Sequence, residues 1–158
     1  MAQESVTVVV NRSPTDVFDA VADITRMGEW SPECVAGRWV APATGPEIGA
    51  KFEGDNIAKL GPVTLKRWTT TSEVTECTAG EVFEFVAEGY TKWRYELTDE
   101  GGTTQLTESF NHTDATGWQK FLYNTIARRP AAMIKGLERT LGRIKETLES
   151  ESGDQPPN

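Results

Sequence analysis

The segment QLTESFNHT, residues 105–113, carries the chain's only histidine four positions after a glutamate. Alternate residues of a strand share a face, so Leu106, Glu108, Phe110 and His112 point one way while Thr107, Ser109 and Asn111 point the other. A carboxyl group among apolar neighbours has its ionised form penalised, which raises its pKa towards the range where it can give and take protons. An imidazole titrates there without help. A Glu–His dyad also needs hydrogen-bond reach, and four residues of strand span about 13 Å. Glu108 and His112 therefore do not form a direct pair, although both can touch one extended ligand. Glu108 is the stronger candidate for a general acid/base role and His112 the weaker one. Two readings of Glu108 stand side by side. It bonds to backbone, water or a neighbouring ring's polar atom and shapes a pocket wall, or it contacts a ligand and moves a proton. His112 precedes the polar loop TDATG, the ordinary setting of a solvated histidine.

Other chemistry is weaker. Cys34 follows Glu33, whose like charge would raise the thiol pKa, so packing is the reading for this thiol. Ser109 has no nucleophile-elbow context. GDN at 54–56 and GLERTLG at 136–142 are not phosphate cradles, and Arg128-Arg129 read as a solvated helix end rather than an anion clamp. One histidine and two scattered cysteines give no metal-ligand spacing, so neither metal nor cofactor is expected.

Composition narrows the field. The 158 residues suit one domain, expected over 1–149, with SESGDQPPN at 150–158 as a disordered acidic, Pro-containing tail. Hydrophobic content of 37% with 25% charge fits a globular chain. A formal charge of −8 argues against a phosphate-backbone partner and against anionic membranes. No signal-like or membrane-length apolar run is present, and Cys34 and Cys77 make no disulfide framework; the expectation is a cytoplasmic protein without an integral membrane segment. Oligomeric state is left open.

The elements that must position Glu108 are legible in outline. SVTVVVNR is a β-branched strand. In SPTDVFDAVADI, Ser13 caps, Pro14 takes the first helical position, and Val17, Phe18, Val21 and Ile24 recur at helical spacing. A second short helix is expected over Thr25–Trp30. Then come GRWVA, AKFEGDN, VTLKRWTTTSEVTE, EVFEFVAE, KWRYEL and TTQLTESFNH, separated by turn residues in the manner of an antiparallel meander. HTDATGWQKFLYNTIARRP suggests a helical segment interrupted at Pro130. In AAMIKGLERTLGRIKETLE, Ile134, Leu137, Leu141, Ile144 and Leu148 form one narrow apolar stripe. A single-striped helix must lie on something, and the sheet offers the only large apolar face. The fold class is therefore α+β: a curved antiparallel sheet of about seven strands gripping a C-terminal helix, with two short helices after the first strand. Such a fold leaves room for an apolar cleft.

One register makes both faces of the meander consistent. The inward rows read Val74–Phe83–Tyr95–Leu106 and Ser72–Phe85–Trp93–Glu108, with Glu73, Thr75, Glu84, Arg94 and Glu96 outward. A bulge in the long strand would shift this locally.

The segments ADITRMGEWSPECVAGRWV, GAKFEGDN, RWTTTSEVTE, EVFEFV, KWRYEL, GGTTQLTES and GLERTLGRIKETLE together resemble, in order over most of residues 4–149, the polyketide cyclase/dehydrase-like branch of the START-type (SRPBCC) superfamily, in particular its small actinobacterial members. The resemblance implies a helix-grip fold with a deep hydrophobic cavity. Members include lipid carriers, hormone-binding proteins and aromatase/cyclases, and no universal catalytic residue transfers. Trp30, Glu33, Asn56, Trp68 and Glu108 match recurrent positions of the branch. NHTDATGWQKFLYNTIARRP is longer than in shorter relatives and is placed to cover the cavity entrance, a lid over residues 111–130.

Three functions follow. The first is a binding or carrier protein for a lipid or polyketide-like aromatic, with Trp30, Phe52, Asn56, Trp68, Phe83, Phe85, Trp93, Tyr95, Leu106, Glu108, Phe110, Ile134, Leu137 and Leu141 as ligand-binding residues. The second is a cofactor-free cyclase or dehydratase with Glu108 as general acid/base. The third is a co-chaperone-like protein-interaction module that works from the outer surface.

Overall fold

In the computed structural model, residues 3–89, 91–111 and 130–153 are described. β1 (Gln3–Val10) leads into α1 (Pro14–Val21), where the Ser13 side chain accepts from the Asp16 N–H at 3.2 Å. The expected second helix is a 3-10 turn (Ile24–Arg26) running into α2 (Met27–Trp30). Six strands follow: β2 (Cys34–Trp39), β3 (Lys51–Leu60), β4 (Val63–Thr78), β5 (Val82–Ala87), β6 (Thr91–Asp99) and β7 (Thr104–Asn111). The last helix, α3 (Pro130–Gly153), continues past residue 149, so 150–153 are helical where the sequence suggested a tail. His112 and nearly all of the expected lid segment lie outside the described residues.

The strands form one antiparallel sheet in the order β1-β7-β6-β5-β4-β3-β2. The sequence assigned β2 to GRWVA; it starts earlier, at Cys34, because a bulge at Val35 lets Cys34 pair with Asn56 and turns Val35 outward. Two further register expectations are corrected. Leu97 pairs with Leu106, Tyr95 with Glu108 and Trp93 with Phe110, two residues from the expected alignment. The cause is the turn: its closing pair is Asp99–Thr104, which leaves four residues in the loop where the expected register left two, and Gly101 and Gly102 within it take φ of 85° and 108°. Likewise Val74 pairs with Phe85 rather than Phe83, and a bulge at Thr75 brings Cys77 opposite Phe83. The pairs Phe83–Tyr95 and Phe85–Trp93 are as expected. The two-residue shifts leave Val74, Tyr95, Trp93 and Glu108 on their expected face, whereas past the bulge Glu76 turns outward and Cys77 packs against the core. On the outer face Arg94 donates to Glu84 at 2.8 Å and also bonds Glu76, and Thr75 donates to Glu84 at 2.7 Å.

α3 is held by its C-terminal half. Leu141, Ile144 and Leu148 are buried in the core with Val10, Leu106 and Phe83. Lys145 donates to the Val9 carbonyl at 2.7 Å, Arg12 to the Leu148 carbonyl at 2.7 Å, and Glu149 accepts from the Asn11 N–H at 2.8 Å. Arg26 bonds Glu29 at 2.8 Å and Glu151 at 2.6 Å, tying the start of α2 to the end of α3. The N-terminal half of α3 is left to span the sheet's concave face.

The segment from Ile24 to Trp39 packs tightly because two glycines remove side chains where backbones meet: a Cβ on Gly37 would fall inside contact distance of the Ile24 carbonyl, and one on Gly28 would strike the Val35 carbonyl. Backbone cannot yield cheaply to such overpacking. We expect Gly37→Ala to lower stability by about 1–3 kcal/mol, read as a lower urea midpoint with unchanged slope, whereas Gly142→Ala, which meets nothing within 4 Å, should not.

Candidate functional site

Between the sheet and the N-terminal half of α3 lies a cavity of about 510 Å³. Strands supply alternate residues to its wall: Phe52, Gly54 and Asn56 from β3, Trp68, Thr70 and Ser72 from β4, Phe85 and Ala87 from β5, Thr91, Trp93 and Tyr95 from β6, and Glu108 from β7. Met27 to Cys34 close one side, apart from Gly28 and Glu29, and Gly136, Leu137 and Thr140 of α3 form the roof. Gly136 opens the roof further, since a Cβ there would meet nothing within 4 Å.

Of the residues proposed from sequence, Trp30, Phe52, Asn56, Trp68, Phe85, Trp93, Tyr95, Glu108 and Leu137 line this cavity. Phe83, Leu106, Phe110, Ile134 and Leu141 do not. Phe83, Leu106 and Leu141 share the inward face but sit where α1 and α3 already cover it, Phe83 edge-on to Phe18 at 6.5 Å. Phe110 lies behind Trp93, ring centroids 5.5 Å apart. The sequence reading did not name Met27, Ser31, Pro32, Glu33, Cys34, Gly54, Thr70, Ser72, Ala87, Glu88, Thr91, Gly136 and Thr140 as ligand-binding, although it turned Ser72 inward and singled out Glu33. Thr70 shares the face of Ser72 and Trp68, and Thr91 that of Trp93, so strand alternation held that signal. The residues after α2 carried none.

Glu108 sits at the floor, 4% exposed. Its register partner is Tyr95, not Trp93, and the Tyr95 hydroxyl donates to its carboxyl. The second oxygen, Oε1, is buried without a partner among the described residues. Desolvation dominates and pushes the Glu108 carboxyl up to about 7, against a smaller lowering by the Tyr95 bond. The Tyr95 phenol is raised far above its ordinary value, first by burial and then by the Glu108 charge. Tyr95 therefore stays a neutral donor.

Around this pair the lining is mixed. Asn56 donates to the Gly54 carbonyl at 3.1 Å and to Thr70 at 3.2 Å. The Cys34 thiol donates to the Ala36 carbonyl at 3.3 Å, and burial, helped by the Glu33 and Asp55 charges, raises its pKa. That makes it a packing thiol, not a nucleophile. Glu33 reaches solvent through the mouth yet is crowded by protein, and this partial desolvation raises its carboxyl. Among the described residues no group of acidic, histidine or cysteine side chains could hold a metal ion. No described helix is long and apolar enough to cross a membrane.

A raised carboxyl makes the native state the better proton binder. Glu108 holds its proton up to about pH 7, whereas the unfolded chain releases it near the ordinary 4.5. The stability this contributes is full below that ordinary value and is lost as pH rises through 7. We expect wild-type stability, relative to Glu108→Gln, to fall by roughly 3 kcal/mol between about pH 4.5 and about pH 8 in urea titrations. Parallel curves for the two proteins would contradict this account of Glu108.

Comparison with known proteins agrees with the geometry. A family model described as polyketide cyclase/dehydrase and lipid transport matches residues 1–149. The fold superposes on a Polyketide_cyc-like protein of Corynebacterium glutamicum with 30% identity, covering 99% of this chain and 96% of that one at a TM-score of 0.66. An AHSA1-like protein of Aeromonas hydrophila matches at 19% identity over 99% of both chains with a TM-score of 0.67. A Thermus thermophilus protein matches at 14% identity over 96% of this chain and 99% of that one, with a TM-score of 0.66. These last two speak to the fold alone. No curated protein matches the chain.

Proposed function

The chain belongs to the polyketide cyclase/dehydrase and lipid transport family, and from that premise we propose that it binds a hydrophobic small molecule, a lipid or a polyketide-like aromatic, between sheet and α3 as a carrier or binding protein. The observation that supports this is the cavity: about 510 Å³, walled by aromatic rings, with a few polar groups at its floor. Ligand pockets have this size and make-up. A guest that buries about 200 Å² of apolar surface gains about 5 kcal/mol, before ordering costs, at roughly 25 cal/mol per Å². Tyr95 and Glu108 would fix the polar end. A cytosolic setting belongs to the proposal and agrees with the two free thiols, Cys34 and Cys77.

A second reading makes Glu108 the general acid/base of a cofactor-free cyclase or dehydratase. It is favoured by one fact, a carboxyl pushed up to about 7 beside a buried phenol. Under it, Glu108→Gln would cut turnover of a polyketide-like substrate by about 10²-fold or more while binding persists. The protein-interaction reading draws on Leu60, Val63 and Leu65, exposed near the β3–β4 turn. Its other premise, a filled hollow, is not met.

Two variants test the binding reading. Trp93→Ala should weaken an apolar fluorescent probe by about tenfold with the fold intact. Gly136→Leu should plug the roof and abolish binding, yet raise stability by about 1 kcal/mol because glycine is a poor helix former. Unchanged probe affinity in both variants would remove the cavity from the function.

A further inference from the structure

We infer that the cavity selects a hydrophobic amine, an apolar guest whose single protonated nitrogen docks against Glu108, over the corresponding carboxylate. The inference rests on the binding reading above and names the chemistry of the guest.

The first observation is the charge of the wall. Its described residues include Glu33, Glu88 and Glu108 and no lysine, arginine or histidine. Glu33 and Glu88 stand exposed towards the mouth and Glu108 is buried at the floor, so the field grows more favourable to a cation along the way in. Acidic groups alone would mean little, but Glu108 adds an independent signal. Its Oε1 is buried at a wall of the cavity with no partner among the described residues.

The sheet itself supplies the comparison. It holds two buried glutamates, Glu84 at 7% exposure and Glu108 at 4%. Glu84, on the outer face, is satisfied by Arg94 at 2.8 Å and Thr75 at 2.7 Å. Among the described residues, Glu108, on the inner face, receives only the neutral Tyr95 hydroxyl. A guest ammonium would do for Glu108 what Arg94 does for Glu84, with charge-assisted hydrogen bonds in a low-dielectric floor.

No described cation competes for the position. β6 faces Glu108 with Tyr95, β1 pairs Val6 with it, β2 brings the Cys34 thiol near Tyr95, and α3 brings Leu137 and Thr140 to the same cavity. Arg26 is committed to Glu29 and Glu151 and lies over the Trp30 ring at 5.1 Å. Lys66 lies over the Trp68 ring at 5.6 Å and is not part of the wall. Trp93 stands one row from Glu108 on the same face as its diagonal neighbour, about 7–8 Å away, and lines the same cavity, so an aromatic ring flanks the approach to the floor carboxyl. A carboxylate guest would instead meet three acids. It could reach the floor only by keeping Glu108 protonated.

The test uses the intact chain and matched tails. Decylammonium, decanol and decanoate compete with the neutral reporter N-phenyl-1-naphthylamine at about pH 7.5 and about pH 5.5. We expect decylammonium to bind at least about tenfold more tightly than decanoate at the higher pH, with decanol between them. The amine's affinity should fall several-fold at the lower pH, as Glu108 takes up its proton. Glu108→Gln, checked for a cooperative thermal transition at both pH values, should abolish both the preference and its pH dependence. Equal affinities, or decanoate the tightest, would overturn the inference and leave the binding reading standing. Failure of the reporter and all three guests to enter would overturn both.

Discussion

A helix with one apolar stripe can cover only part of a seven-stranded sheet, and where it is fastened decides what the rest of the fold can do. α3 is fastened at its C-terminal half, where Leu141, Ile144 and Leu148 enter the core and Lys145, Glu149 and Arg12 fix it to the end of β1 and the turn after it. Its earlier turns offer Gly136, Leu137 and Thr140 to a face that curves away below them. Two small residues in three cannot fill that space. The hollow is thus a consequence of where the helix spends its large side chains, not of a separate pocket-forming element.

The floor of that hollow carries an electrostatic cost which the same sheet avoids elsewhere. Glu84 and Glu108 are similarly buried, yet among the described residues only Glu84 has a guanidinium partner. Burying a half-satisfied carboxyl beside a phenol weakens the native state at neutral pH and above. A core built for stability alone would place a leucine or glutamine there. Local sacrifice of this kind is the signature of a site, because the groups that destabilise the empty protein are those that a guest can satisfy.

How much of this was legible in the sequence follows from what alternation can and cannot encode. Period two assigns faces, so Glu108, Tyr95, Trp93, Phe85 and Ser72 were correctly turned inward and Arg94 and Glu84 outward. Period two does not assign partners. Those depend on turns, and the Gly101–Gly102 turn is two residues longer than hydrophobic matching suggested, which exchanges Trp93 for Tyr95 as the neighbour of Glu108. The bulge at Thr75 had the same effect on Val74. Sharing a face is also not sharing a cavity: Phe83 and Leu141 face inward but are consumed by packing. The wall from Met27 to Cys34 comes from a short helix and the turn after it, where no periodicity exists to be read.

The pairing of a buried acid with an open hollow makes proton and guest competitors for one place. By linkage, a cation that binds beside Glu108 lowers its pKa as much as ionisation of Glu108 strengthens the cation's hold. The empty protein is then most stable where the carboxyl is protonated, and an ammonium-bearing guest returns that stability where it is ionised. A neutral guest brings no such exchange, since it satisfies hydrogen bonds without removing the cost of the buried charge. A carboxylate brings the reverse, because its entry favours the protonated floor. The sign of the coupling between occupancy and protonation therefore reports the charge of the guest, and it does so through the stability of the fold as well as through affinity.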